Sequence, residues 1–275
     1  MYKPTDEASF YSFTPDPVET RDTQDVKEPE ATRVRIGGTN WGTSSLIGNL
    51  YPPGTKTSNY LNTYSRHFDT IELDISFYKN FKEADIKKWV AEIDNDNFKF
   101  CPIMYKRITH GNKLLTDSPY VSSFFKNLKA FKTTLGPLII QLPSHFAVVR
   151  MDELFDFLDS LPKLPAIFIE LPHITWYKRQ LFPTLCHYLK QKHIGLVIKD
   201  SPEKPGVLHS ALTVPKCVIQ FETEGDIEKD ELRLQVWADT VKTWRSKGLK
   251  DAYFFIQGAG KNEVHLLKYM QALMK

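Results

Sequence analysis

Eight short apolar runs punctuate the chain: RVRIGG (33–38), DTIELD (69–74), FKFCPIMY (98–105), PLIIQL (137–142), AIFIEL (166–171), IGLVIK (194–199), KCVIQF (216–221) and AYFFIQ (252–257). Their length and β-branched content suit strands buried on both faces, the signature of a parallel sheet. Amphipathic segments lie between them. The clearest is SPYVSSFFKNLKAFKTTLGP, where Ser118 can cap, Pro119 suits the first turn, and Val121, Phe124, Phe125, Leu128, Phe131 and Leu135 form one apolar face that Gly136 and Pro137 bring to an end. Similar faces recur between Ile86 and Ile93, Met151 and Leu161, Leu232 and Trp244, and Val264 and Leu273, whereas 201–215 lacks a long helix. Strand and helix alternating over about 240 residues predict an α/β fold, a (β/α)8 TIM-barrel-like single domain over 33–275. An open doubly wound sheet is the alternative, but the first loop, GGTNWGTSSLIG, lacks the spaced glycines of a dinucleotide fingerprint and no Walker-type GK[ST] occurs.

Residues 1–32 are rich in Pro, Thr, Asp and Glu without sustained periodicity, which predicts a mobile or loosely docked N-terminal extension. The chain carries 36 basic and 33 acidic residues, a net charge of +3, too even to advertise nucleic acid or an anionic membrane. Cys101, Cys186 and Cys217 are far apart and each lies in or beside an apolar run, as free thiols of a reducing compartment do. The first residues are acidic and polar where a secretion signal would be basic and then apolar, and no run approaches the length of a membrane span. A cytosolic protein is expected, with a small-molecule ligand rather than nucleic acid or membrane as partner and its oligomeric state open.

Side-chain alternation then predicts where chemistry would sit. In TIELD, Glu72 and Asp74 share one side while Ile71, Leu73 and Ile75 take the other; in AIFIEL, Ile167, Ile169 and Leu171 face the helices and turn Glu170 inward. A carboxylate at the end of a buried strand costs free energy unless paired, hydrated or employed. Other runs end alike, with Asn40 and Trp41 after the first, Gln141 in the fourth, Asp200 after the sixth, Glu222 after the seventh and Gln257 in the eighth. Lys106, Arg107, His110 and Lys113 follow the third in one loop, and His173 and Trp176 follow Glu170. Converging acids need cations, histidines or a metal ion as partners, and their crowding would perturb pKa values. The candidate catalytic set is Glu72, Lys106, His110, Glu170 and Asp200. Asn40, Trp41, Asp74, Tyr78, Gln141, His173, Trp176, Glu222 and Gln257 are candidate ligand contacts, and Glu72, Glu170 and Asp200 are candidate ligands of a divalent metal. Trp89, Trp237 and Trp244, at helical core spacing, read as structural, and His67, His187, His193, His209 and His265 as surface or packing residues.

The ordered set NW, FDTIELDISFYK, FKFC, K-x-x-T-H (Lys106, Thr109, His110), IIQLP, E-L-x-H-x-T-W and the Asp closing the sixth run resembles the YecE-like family, an uncharacterised family of TIM-barrel-like fold, from about Ile36 to the last strand. The resemblance implies matching positions at Trp41, Glu72, Phe77, Tyr78, Lys106, Thr109, His110, Gln141, Glu170, His173, Trp176 and Asp200. It also implies departures: Asp74 where the family has Asn, Pro172 where it has Arg, Gln220 and Glu222 where it has Arg and His, and Gln257 and Gly258 where it has paired Asn. Together these remove positive charge from the mouth, so a less anionic ligand or a decayed activity is implied.

Three functions follow as expectations. The first is a metal-dependent hydrolase or lyase at the C-terminal mouth, acting on a phosphorylated or sugar-like substrate, with metal-free sugar chemistry by a carboxylate pair as a variant. The alternative is a non-catalytic ligand-binding or scaffold protein. A nucleic-acid-processing metal-dependent enzyme is the second alternative, by analogy of fold alone.

Overall fold

The computed structural model describes residues 32–164 and 166–275. The extension expected over 1–32 therefore lies outside the described residues, except for Thr32, whose hydroxyl donates to the Leu249 carbonyl. The strands are β1 (Arg33–Gly37), β2 (Thr70–Leu73), β3 (Lys99–Pro102), β4 (Leu138–Gln141), β5 (Ile167–Glu170), β6 (Gly195–Leu196), β7 (Ile198–Asp200), β8 (Lys216–Glu222) and β9 (Asp251–Gln257). The helices are α1 (Tyr60–His67), α2 (Ile75–Tyr78), α3 (Glu83–Glu92), α4 (Lys106–Thr109), α5 (Pro119–Leu128), α6 (Met151–Ser160), α7 (Phe182–Gln191), α8 (Ile227–Ser246) and α9 (Glu263–Leu273). Each of the eight apolar runs forms a strand, the sixth being split into β6 and β7 at Val197.

All strand pairs are parallel, in three sheets ordered β1-β9-β8-β7, β2-β3 and β4-β5-β6. Isolated bonds join the sheets. The Glu72 amide donates to Gly38 O at 3.0 Å, and the Met104 and Gly136 amides donate to Ile139 O and Phe100 O, each at 2.8 Å. These links carry the strands round in chain order, and β9 pairs back onto β1, giving the TIM-barrel-like arrangement. The close approach of β1 to β2 requires glycine: a Cβ on Gly37 would stand 2.0 Å from the Thr70 carbonyl oxygen.

Alternation along the strands separates two apolar layers. Ile71, Leu73, Ile140, Ile167, Ile169, Leu196, Ile198, Ile219 and Phe254 join the outer core between sheet and helices, while Cys101, Ile139, Phe168, Val197, Val218 and Phe255 fill the interior. The outer layer is closed by helix faces such as Val121, Phe124, Phe125 and Leu128 of α5, each buried side chain contributing roughly 1.5–3 kcal/mol. At the N-terminal end the interior is stopped by Arg35, whose guanidinium pairs with Asp251 at 2.9 Å and lies over the Tyr253 ring. At the C-terminal end the inward residues turn polar, which places the candidate site.

The structure departs from the sequence reading in four places. The helix expected through Leu135 ends at Leu128 and continues as a 3-10 segment in which Lys132 adopts φ 51, so that Phe131 packs on Phe100 and Leu135 bridges to the same residue. Ile75, expected against the helix layer, is 45% exposed, because the chain turns helical there and strand alternation ceases. Helices α1 and α7 arise from segments that the apolar pattern had not singled out. Trp89 is half-buried, whereas Trp237 and Trp244 are buried on α8 as expected. The three cysteines are free, with Cys186 half-buried. No helix among the described residues is long and apolar enough to cross a membrane.

Candidate functional site

Glu72 stands at the end of the interior side of β2 and is 1% exposed. Its Oε1 accepts from Gln220 Nε2 at 2.9 Å, and Gln257 Nε2 reaches Oε1 and Oε2 at 3.3 and 3.1 Å. Burial pushes its pKa up to about 7, the charge of Glu170 adding to the rise while Lys199 and the two amides restrain it. Glu170, 5% exposed, accepts from Gln141 Nε2 at 3.3 Å through Oε1. Burial raises its pKa also, against Lys199, Gln141, Lys204 and Gln220. The Gln220 side chain thus interacts with both acids. Register brings these groups to one level: Gln141 pairs with Glu170 across β4 and β5, and Lys199 with Gln220 across β7 and β8.

Lys199 is the cation of this floor. It extends inward from β7, donates to Gln257 Oε1, and lies 3.9 Å from a Glu222 carboxylate oxygen. Sequence reasoning had passed it over in favour of its neighbour Asp200. Counting alternation in LVIKD finds it, since Leu196, Ile198 and Asp200 share the outward side and Val197 and Lys199 the inward one. Asp200 accordingly lies in the outer layer. Arg233 Nη2 approaches its Oδ1 at 2.8 Å and Trp237 Nε1 donates to Oδ2 at 2.7 Å, both from α8. Arg233 also donates to the Glu222 carbonyl at 3.0 and 3.1 Å, pairs with Asp230, and covers the Phe221 ring. Asp200 is therefore tied into a structural network away from the mouth.

Two adjoining hollows open above the floor and share Gln141 and Lys199. One, of about 280 Å³, has Glu170, His110, Glu222, Ser144 and Lys204 in its wall; the other, of about 250 Å³, has Glu72, Asp74, Tyr78, Gln220 and Gln257. Thr39, Ser201 and Lys204 are further lining residues that lay in loops without periodic pattern. Burial raises the Asp74 pKa, with the Ile75 amide acting against it. Burial, His145 and Lys106 together hold His110 more readily neutral than a free imidazole, and the Thr109 hydroxyl meets its Nδ1 at 2.8 Å. Lys106 is exposed on the rim over the Tyr78 ring, 4.9 Å from its centroid.

The remaining candidates stand elsewhere. Trp176 is fully buried, donating to Phe146 O at 2.7 Å. His173 caps the 3-10 turn after β5 through Thr175. Trp41 packs edge-on against Trp89, and Asn40 Oδ1 accepts from the Gly42 amide in a local turn. None of the four lines either hollow. Among the described residues, no group of three or more His, Cys, Asp or Glu side chains is placed to hold a metal ion, and the trio Glu72, Glu170 and Asp200 is split because Asp200 faces α8.

Residues 35–275 match the family described as "Protein of unknown function DUF72". The chain belongs to the DUF72 family. Among relatives of the DUF72 chain, UPF0759 protein YecE of Escherichia coli strain K12 is 27% identical over 203 residues, spanning 67% of this chain and 74% of that protein. UPF0759 protein YunF of Bacillus subtilis strain 168 is 34% identical over 106 residues, 38% of this chain and 35% of that one. The fold is shared with solved DUF72 proteins. One from Enterococcus faecalis V583 superposes with TM-score 0.70 at 19% identity, covering 88% of this chain and 95% of that one. Another, from Thermotoga maritima MSB8, gives TM-score 0.70 at 18% identity, covering 88% and 100%.

Proposed function

We propose that the mouth of this DUF72 barrel is the active site of an enzyme that moves protons on a small polar substrate, with Glu72 as the group that gives and takes the proton. The single observation that carries this reading is a buried carboxyl whose pKa is pushed up to about 7, opening on a hollow that shares Lys199 with a second raised carboxyl, Glu170. A general acid or base works best when its pKa lies near the operating pH, and paired acids with environments of this kind serve hydrolases and lyases. Lys199 is placed to stabilise negative charge developing beside either acid. This is acid–base chemistry carried by the chain's own side chains, and it takes the place of the metal-centred version because the expected donors are not assembled. A phosphorylated or sugar-like substrate and a cytosolic setting belong to the same proposal.

The test is turnover of a panel of sugars and sugar phosphates followed by NMR in deuterated buffer. The expected outcome is one converted compound, with a pH profile inflecting near 7 and a loss of at least about 100-fold in Glu72→Gln with binding retained. Turnover indifferent to Glu72→Gln would overturn the assignment. The second reading is ligand binding without catalysis. It is favoured by the amide bonds that Glu72 accepts from Gln220 and Gln257, and binding without conversion of any compound would establish it.

A further inference from the structure

Two buried polar atoms of the mouth have no hydrogen-bond partner among the described residues: Glu170 Oε2 and Gln220 Oε1. Both residues are more than nine-tenths buried, Glu170 in the wall of the first hollow and Gln220 in that of the second. A buried polar atom left unpaired is costly, so a ligand that satisfies both is favoured at each. Gln220 Oε1 can only accept, which calls for a ligand donor. Glu170 accepts when ionised and can donate when protonated, and its burial favours the protonated form. A hydroxyl serves either state by rotating, whereas an ammonium can only donate and an ionised phosphate oxygen only accept. An anionic group would in addition face five acids, Glu72, Asp74, Glu170, Glu203 and Glu222, against the two lysines Lys199 and Lys204 around the same two hollows.

We propose that the mouth takes a neutral polyhydroxylated molecule of about monosaccharide size, bridging the two hollows past Lys199 with one hydroxyl on Glu170 Oε2 and another donating to Gln220 Oε1. This rests on the reading of the mouth as a ligand site and selects the neutral sugar over the phosphorylated one. Tyr78, 64% exposed and lining the second hollow, adds an aromatic ring to that wall, with Lys106 over one of its faces.

Saturation-transfer NMR on the whole protein tests it, with glucose, galactose, mannose, xylose, ribose and myo-inositol as probes and inorganic phosphate, followed by its phosphorus-31 line width, as the comparison. Transfer to at least one of the sugars or inositol is expected, at least tenfold weaker in Glu170→Met, whose folding is checked by its melting curve. Deoxy analogues of the compound that binds, each lacking one hydroxyl, give a measure that needs no variant: two positions should each lose at least tenfold. Binding of phosphate with no binding of any sugar or of inositol would overturn the proposal, as would deoxy analogues that all bind equally. If none of them binds and Glu72 nevertheless titrates near 7, the ligand class falls while the acid–base reading stands. If they bind and Glu72 titrates as an ordinary carboxyl, the reverse holds.

Discussion

Gln220 Nε2 donates to Glu72 Oε1 at 2.9 Å, although 148 residues separate them in the chain. The bond shows how the barrel treats its buried acid: it is held by neutral amides, with the Lys199 charge acting on both it and Glu170. Both amides donate through Nε2 and so favour the ionised carboxylate, while burial favours the neutral acid.

Glu72 makes stability depend on pH in a definite direction. Its folded pKa of about 7 lies above the ordinary 4.5, so the folded state binds more protons in that interval, and the stability it contributes is full below 4.5 and lost as pH rises through 7. The loss is about 3 kcal/mol by linkage. Urea denaturation of Glu72→Gln from pH 4 to 8 should therefore show wild type falling relative to the variant across that window; parallel curves would contradict it.

Removing Lys199 should push both acids higher, since its charge is the largest influence restraining each. In Lys199→Met the carboxyl resonances of Glu72 and Glu170, followed by carbon-13 NMR, should titrate at higher pH than in wild type. Unchanged titrations would mean that Lys199 does not act on the floor.

Asp200 should behave as a structural residue. Asp200→Asn leaves Arg233 short of one of its two buried carboxylates, which should cost about 3 kcal/mol in chemical denaturation while ligand binding at the mouth changes little in the folded fraction. Loss of binding with stability intact would return Asp200 to the site.

His209 tests the backbone at the strand break. Its Nε2 lies 3.0 Å from Val197 O and its Nδ1 accepts from the Ala211 amide, while burial lowers its pKa to about 4. Nitrogen-15 NMR should find the neutral Nε2–H tautomer persisting down to about pH 5. Because the depressed pKa lies below the ordinary 6.5, its contribution is present above 6.5 and lost as pH falls towards 4. A His209 that protonates near 6.5 would refute this placement.

The eight strands and the inward turn of Glu72 and Glu170 were legible because they follow from apolar run length and a period of two. The same count, had it been carried through LVIKD, identifies Lys199 and sends Asp200 outward. Chemistry-bearing residue type outweighed geometry there. Trp176 and His173 lie past the end of the strand, where alternation has stopped and packing against Phe146 or capping of the Thr175 amide decides orientation. The kink at Lys132 was beyond reach for a related reason: the apolar face continues unbroken to Leu135, and only contact with Phe100 in a distant strand shows why the helix stops short.

The most direct measurement is the titration of the Glu72 carboxyl by carbon-13 NMR in protein labelled at glutamate, assigned with Glu72→Gln. A midpoint near 7 is predicted, set by burial beside Glu170 with Lys199, Gln220 and Gln257 restraining it. A midpoint near the ordinary 4.5 would mean a solvated, unperturbed acid, and the account of the mouth as a proton-transfer site would fail.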